Sequence, residues 1–532
     1  MFGRSPTTPE GIEKQRNANA RIVGEDLANV LPRDQKPFWR KWHLLRLNLI
    51  LLVPLFTSGT VGYDGAMMNA LQIAPFWKTY FGHPARGDLG LVNAIFPIGK
   101  VCGLAVVTWM SDKYGRRLPI IIGTVLCIAG AGVQASSVNF AMFIFSRWLV
   151  GFGTAFMAQP SPMLITELAF PTHRAKATAL FNTFYYFGAI LAAWLTFGTV
   201  YIHSDWSWRI PSLMQGFFPA IQLAFIVFLP ESPRWLIAKG KVEEARAILI
   251  YHHAGGDEQS PLVEFEMKEI QEALRLEREI KSATSFKDLF ANTANRKRTF
   301  IAILLGFYTQ WCGNGVISYY LTLFLNTIGI ENATDQALIN GLLQIFNFII
   351  AVFVGALMID RLGRRLLFIW SAGGMMLSYV VWTVLNAQFI SSKDKTVGIA
   401  VIPMIFVFYF HYDIALTPIT YAYVAEIFPY RLRGWGITIT YLSTYLALMF
   451  NLFANPIAMA AISWRYYIVF CCINAAVLLI MWFTLPETKG HTLEEIAVIF
   501  EGESAAVNPD LSKFNTNTIE KLEIEIEQKG RV

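Results

Sequence analysis

A soluble chain of 532 residues would hold roughly three or four domains, but 54% hydrophobic residues, only 15% charged residues and a mean hydropathy of +0.42 exclude that organisation. The charges are segregated between apolar stretches long enough to cross a bilayer. A net charge of +6 suits an anionic membrane face rather than nucleic acid.

The first 44 residues are polar and lack the short basic stretch and apolar h-region of a cleavable signal, so the first apolar segment is expected to direct insertion. Segments able to span about 30 Å of hydrocarbon follow at 45–68, 90–111, 118–137, 141–163, 176–200 and 209–229. After a polar interval they resume at 299–325, 336–359, 366–386, 398–424, 434–455 and 464–485. The expected fold is an all-α membrane protein of twelve helices in two pseudo-symmetric six-helix halves, 45–230 and 298–490. Tails at 1–44 and 491–532 flank them, and the loop 231–297 joins them. Within that loop, Val242 to Arg246 and Glu264 to Glu279 carry charged helical periodicity, which predicts short surface helices.

The two halves echo each other. Asp112-Lys113-Tyr114-Gly115-Arg116-Arg117 returns as Asp360-Arg361-Leu362-Gly363-Arg364-Arg365, about half a chain later. Glu167, Pro171 and Arg174 answer Glu426, Pro429 and Arg433; Ser207-Trp208-Arg209 answers Ser463-Trp464-Arg465; and Pro230-Glu231-Ser232 answers Pro486-Glu487-Thr488. So long a period signals a duplicated membrane half, the organisation of a secondary transporter.

Basic residues set the orientation. Lys113, Arg116, Arg117, Arg174, Lys176, Arg361, Arg364, Arg365, Arg431 and Arg433 share one side with Arg33, Lys36, Arg40 and Lys41, and that side is expected to be cytoplasmic, with both termini. For isolated Lys and Arg residues, topology alone is a sufficient explanation. Asn332-Ala333-Thr334 is a glycosylation sequon in a loop expected to be external. Cys102, Cys127, Cys312, Cys471 and Cys472 lie in apolar segments without framework spacing, so they read as small apolar residues, neither disulfides nor metal ligands.

Ionisable residues at membrane depth are costly and mark pathways. Asp64 lies in the first helix among Gly59, Gly62 and Gly65, where a carboxylate can carry a proton, and Arg147 in the fourth helix is its natural counter-charge. The alternative is a permanent structural ion pair, or an Asp64 that faces external water. His411 with Asp413 in the tenth helix is a further candidate, against which stands simple placement beside a water-filled cavity. Asn182, Gln310, Asn314, Tyr319, Tyr320, Gln344, Asn347, Tyr421, Thr444, Tyr445 and Asn451 form a neutral polar set. Amides and phenols suit a neutral polyhydroxylated ligand, since they donate, accept and cover the apolar face of a sugar ring. A charged ligand would call for Arg or Lys, which are scarce at this depth. For any one of these residues interhelical hydrogen bonding is an equal alternative.

Gly62-Tyr63-Asp64, Asp112 to Arg117, Arg147, Pro230 to Leu236, Gln310 to Tyr320, Asp360 to Arg365, Glu426 to Pro429 and Pro486 to Gly490 together resemble the sugar porter family of the major facilitator superfamily, over residues 45–495. Thr309 to Gly315 with Ser318-Tyr319-Tyr320, and Tyr251 to Asp257 followed by Ser260 to Val263, look most like the fungal lactose permease and cellodextrin transporter branch. The resemblance implies the major facilitator fold and a monomer in the plasma membrane. It gives Asp64 the role of proton acceptor and Arg147 that of its partner. It also implies a cytoplasmic latch of Asp112, Arg116, Arg117, Glu167, Arg174, Glu231, Arg234, Asp360, Arg364, Arg365, Glu426, Arg433 and Glu487, closed in the outward-facing state.

Departures from the family pattern fall on the sugar pocket: Thr309 before Gln310, Asn314 displaced by one place, Asn182 for Gln, Tyr421 and Tyr445 for Trp, and Thr444 for Gln. The expected activity is import of a neutral sugar with a proton, the sugar being a disaccharide such as lactose or cellobiose. The alternatives are a facilitative hexose uniporter and a non-transporting sugar sensor. The sensor is disfavoured by the short tail after Gly490, and a drug antiporter by the lack of a Gly-Pro motif in Gly188 to Ala193. No metal spacing, nucleotide loop or nucleophile motif points to an enzyme or a cofactor.

Overall fold

The computed structural model describes residues 13, 16, 25–32, 38–84, 87–283, 285–355, 362–429, 431–489, 496 and 499–501. Asp360 and Arg361 of the second repeat lie outside them, as does most of both tails.

Six helices cross in the first half: α1 (Trp42–Leu71), α2 (Gly87–Tyr114), α3 (Arg117–Ala135), α4 (Phe140–Leu168), α5 (Arg174–Thr199) and α6 (Trp206–Phe228). The polar loop folds into α7 (Pro233–Ala238), α8 (Val242–His252) and α9 (Pro261–Ala283), as its periodicity predicts. The second half holds α10 (Thr293–Trp311), α11 (Asn314–Thr327), α12 (Ala333–Ile349), α13 (Arg364–Ser392), α14 (Lys395–Ile427), α15 (Arg433–Ile462) and α16 (Tyr466–Thr484). Gly313, at φ +105, breaks one crossing into α10 and α11.

By length and composition, eleven stretches of the described residues can cross a membrane. The last of them, Arg433–Thr484, has 52 residues, or about 78 Å of helix, more than twice the hydrocarbon thickness. It turns at Ser463, whose φ is +50, and so crosses twice as α15 and α16. The total is the expected twelve.

Lipid removes the hydrophobic drive between helices, so small residues that let backbones approach take over. A Cβ at Gly62 would meet the backbone of Tyr185, and one at Gly188 the backbone of Gly59, which fixes α1 against α5. Gly99 and Gly103 let α2 approach Trp148 and Phe152 of α4, and Gly123 faces Gly153 across α3 and α4. The duplication is visible in the packing: α1 packs on α5 as α10 packs on α15, and α3 on α4 as α13 on α14. The halves meet through α5 with α12 and α2 with α15, again a symmetric pair, and through α1 with α11.

Candidate functional site

Asp64 of α1 is 1% exposed and Arg147 of α4 is 3% exposed. Arg147 Nη1 and Gln215 Nε2, the latter from α6, both donate to Asp64 Oδ1. Three helices of one half thus converge on one carboxylate oxygen. The Arg147 guanidinium also lies 5.1 Å from the centre of the Phe96 ring. The ammonium of Lys100, midway along α2, is 5.6 Å from that same ring, and Lys100 interacts electrostatically with Asp64. Sequence reasoning missed both Gln215 and Lys100. The available signal was a polar residue in the middle of each apolar stretch.

Tyr319 of α11 is partly buried, and its backbone carbonyl is held by Gln72 of α1. From Tyr445 an aromatic ladder runs along α15 to α14. The Tyr441 ring lies 6.5 Å from Tyr445 and stacks at 4.3 Å on Tyr421. Tyr441, one helical turn before Tyr445, was not among the sequence candidates, although its i, i+4 spacing places it on the same face. Gln310 is partly exposed at the end of α10, and Asn182 is exposed on α5.

Other candidates are engaged in packing. Tyr320 donates to the Leu452 carbonyl at 2.5 Å, Asn451 to the Gln310 carbonyl at 2.5 Å, and Asn314 Nδ2 to the Tyr412 hydroxyl at 3.2 Å. Asn314 and Asn347 are buried and each keeps its Oδ1 without a partner. His411 and Asp413 do not act together. His411 packs on Trp370 and Gly374 of α13 with Nδ1 2.8 Å from the Val407 carbonyl, whereas Asp413 turns the other way and meets Tyr186 of α5.

The halves are joined at the end that carries Asn332. Asn69 of α1 donates to the Ile317 carbonyl at 3.1 Å and accepts from Leu321 N at 3.0 Å, and Gln72 donates to the Tyr319 carbonyl at 3.0 Å.

At the opposite end the repeated motifs build the same cage twice. Glu231 accepts from the backbone N–H groups of Arg116 at 2.9 Å and Arg117 at 3.1 Å, at the start of α3. Glu487 accepts from Arg364 N at 2.9 Å and Arg365 N at 3.1 Å, at the start of α13. A helix N-terminus offers unpaired donors and positive potential, so a carboxylate belongs there. Gly115 at φ +97 and Gly363 at φ +89 turn the chain into each helix, and a Cβ at either would strike its glutamate. Arg116 pairs with Glu167 at 3.4 Å and with Asp112 at 3.8 Å; Arg364 pairs with Glu426 at 3.2 Å. Each of these pairs joins elements of one half.

The remaining arginines at this end spread their contacts. Arg117 Nη2 donates to the Val227 carbonyl at 3.2 Å and Arg365 Nη2 to the Trp482 carbonyl at 2.8 Å. Arg234 pairs with Glu277 of α9 rather than with a membrane helix. Arg174 and Arg433 are half-buried at the starts of α5 and α15. Burial pushes the Glu487 carboxyl up, but the N–H groups of Lys489, Arg364, Arg365 and Thr488 outweigh it and hold the pKa below the ordinary value.

A family model described as "Sugar (and other) transporter" matches residues 50–500. Hexose transporter HXT11 of Saccharomyces cerevisiae is 30% identical over 468 residues, covering 84% of this chain and 81% of its own. MFS-type transporter oryC of Aspergillus oryzae is 28% identical and covers 90% of each chain. Among solved structures, the inward open conformation of the xylose transporter XylE from E. coli superposes with a TM-score of 0.70 at 24% identity, over 85% of this chain and 99% of that one. The proton:xylose symporter XylE bound to 6-bromo-6-deoxy-D-glucose gives 0.66 at 24% identity, over 85% of this chain and 99% of that one. At such identities the likeness to XylE shows a shared fold.

Proposed function

The chain belongs to the sugar porter family of the major facilitator superfamily, and we propose that it imports a neutral sugar together with a proton by alternating access, with Asp64 as the proton carrier. It is a multi-pass membrane sugar transporter and not an enzyme. The observation that carries the coupling is the buried contact of Arg147 and Gln215 with one oxygen of Asp64. A carboxylate at membrane depth that needs a guanidinium to stay charged can exchange that partner for a proton.

In this reading a proton from outside neutralises Asp64 and frees Arg147 and Gln215, and sugar binds beside them. Tyr421, Tyr441 and Tyr445 offer ring faces, and Gln310, Asn182, Asn314 and Asn347 offer amides to hydroxyl groups. Sugar and proton together favour closure because they bind the closed form better than the open ones. The cage residues Arg116, Glu167, Glu231, Arg364, Glu426 and Glu487 then rearrange as the opposite end opens and closes. A potential of 100 mV would contribute about 2.3 kcal/mol per charge, enough for roughly a fiftyfold sugar gradient.

The cargo proposed is a disaccharide such as lactose or cellobiose, on the resemblance of Thr309 to Gly315 and Ser318 to Tyr320. A second reading, a hexose uniporter with Asp64 in a structural ion pair, is favoured by the names of similar proteins, which include hexose and glucose transporters. Uptake of labelled mono- and disaccharides by transporter-null cells expressing the chain, with and without a protonophore, separates the two. Protonophore-sensitive accumulation supports the proposal; uptake that merely equilibrates supports the uniporter.

A further inference from the structure

A second carboxyl group is buried in the other half of the molecule, and among the described residues it pairs with no cation. Asp413 of α14 is 1% exposed, as is Asp64. Its Oδ1 accepts from the Thr417 hydroxyl one turn along at 2.9 Å and from the Tyr186 hydroxyl of α5 at 3.1 Å. The second bond passes from one half to the other. Its Oδ2 is enclosed and has no hydrogen-bond partner among the described residues.

The surroundings of Asp413 are neutral. Among the described residues, the titratable groups near it are Tyr186 of α5, which donates to it, with Tyr185 of α5 and Tyr409 and Tyr412 of its own helix. His411 packs on α13 instead. Among the described residues, none forms an ion pair with Asp413, whereas Asp64 has Arg147. An ionised carboxylate in this place would keep a full charge with two neutral donors on one oxygen and nothing on the other, which desolvation strongly disfavours. A proton on Oδ2 removes the charge and leaves both hydrogen bonds to Oδ1 intact.

We propose that Asp413 is a second proton-binding site of this transporter, filled while the halves are closed at the Asn332 end. Tyr186 is the positioning residue, since its hydroxyl ties the carboxyl to the opposite half. Its neighbour Tyr185 places its own hydroxyl beside Gly65, next to Asp64, so consecutive residues of α5 reach both acid sites. The protonation state stands on the geometry of Asp413 alone; only its part in transport rests on the symport reading. When the halves part, Tyr186 withdraws, water reaches the carboxyl and the proton leaves, which couples the charge of Asp413 to the contact between halves.

The test is infrared spectroscopy of the purified full chain in lipid at neutral pH. The expected result is a protonated-carboxyl C=O band that Asp413→Asn removes and Asp64→Asn leaves in place. Tyr186→Phe, which keeps the acid and deletes the donor to Oδ1, is expected to move that band to higher frequency. A wild-type protein without the band overturns the inference, as does a band unchanged by Asp413→Asn. Should Asp413→Asn not fold, a band unmoved by Tyr186→Phe overturns it equally. The readout needs neither sugar nor proton flux, so its failure leaves the role of Asp64 standing, and failure of proton-coupled uptake leaves the band untouched.

Discussion

Arg147 donates to Asp64 in a pair whose side chains are 3% and 1% exposed, both within the first half. Removing one member of such a pair strands a buried charge, which is costlier than removing both. Arg147→Ala is therefore expected to destabilise the protein by about 3–5 kcal/mol, and Arg147→Ala with Asp64→Asn by clearly less. Thermal unfolding of Arg147→Ala, Asp64→Asn and the double variant in lipid closes the cycle, and a double loss equal to the sum of the two single losses would mean that the pair carries no coupling energy.

Glu487 gives a pH dependence at the other end of the molecule. Its folded pKa lies below the ordinary 4.5, so its stabilisation is complete above that value and is lost as pH falls through the folded value. The melting temperature of the wild type is expected to drop on acidification from about pH 5 to about pH 3, and Glu487→Gln to show a lower melting temperature at pH 7 with a smaller acid drop. Parallel acid curves for the two proteins would contradict the cage geometry.

Much of this arrangement is legible in the sequence because duplication writes it twice. The Arg116–Glu167 pair and its echo Arg364–Glu426, with Glu231 and Glu487 over the helix starts, sit where the repeated motifs place them. Asp64 and Arg147 are equally legible, since a charge inside an apolar helix needs a partner. What a linear pattern does not carry is the direction a neutral polar side chain takes on a helix that is apolar all round. Asn451 and Tyr320 face backbone carbonyls, while Gln215, Tyr186 and Tyr441 turn toward the carboxylates and the aromatic ladder. The turn at Ser463 is legible too, since the Ser463-Trp464-Arg465 echo falls between the segments 434–455 and 464–485.

Gln310 and Asn451 separate binding from packing. Asn451 holds the Gln310 carbonyl, whereas the Gln310 side chain is partly exposed and belongs to the proposed sugar site. Gln310→Ala is expected to raise KM for sugar about tenfold, the loss of roughly one hydrogen bond, with little change in melting temperature. Asn451→Ala is expected to lower the melting temperature and reduce the amount of folded protein. The opposite assignment of effects would place the sugar elsewhere.

Asn332 reports orientation. Its side chain caps α12 through an oxygen that accepts from Thr334 N at 2.9 Å, and the residue is exposed. A glycan on its nitrogen leaves that cap intact. In a eukaryotic host the chain is expected to shift in mobility on glycosidase treatment, and Asn332→Gln is expected to abolish the shift. Instead, a cytosol-side protease or label reaching this loop in intact cells would reverse the proposed topology.

The most direct test is the external pH of a lightly buffered suspension of cells expressing the chain, recorded as sugar is added. The wild type is expected to alkalinise the medium in step with uptake, and Asp64→Asn to exchange sugar across the membrane without moving protons or accumulating it. Sugar uptake by the wild type with no proton movement, or full accumulation by Asp64→Asn, would contradict the account.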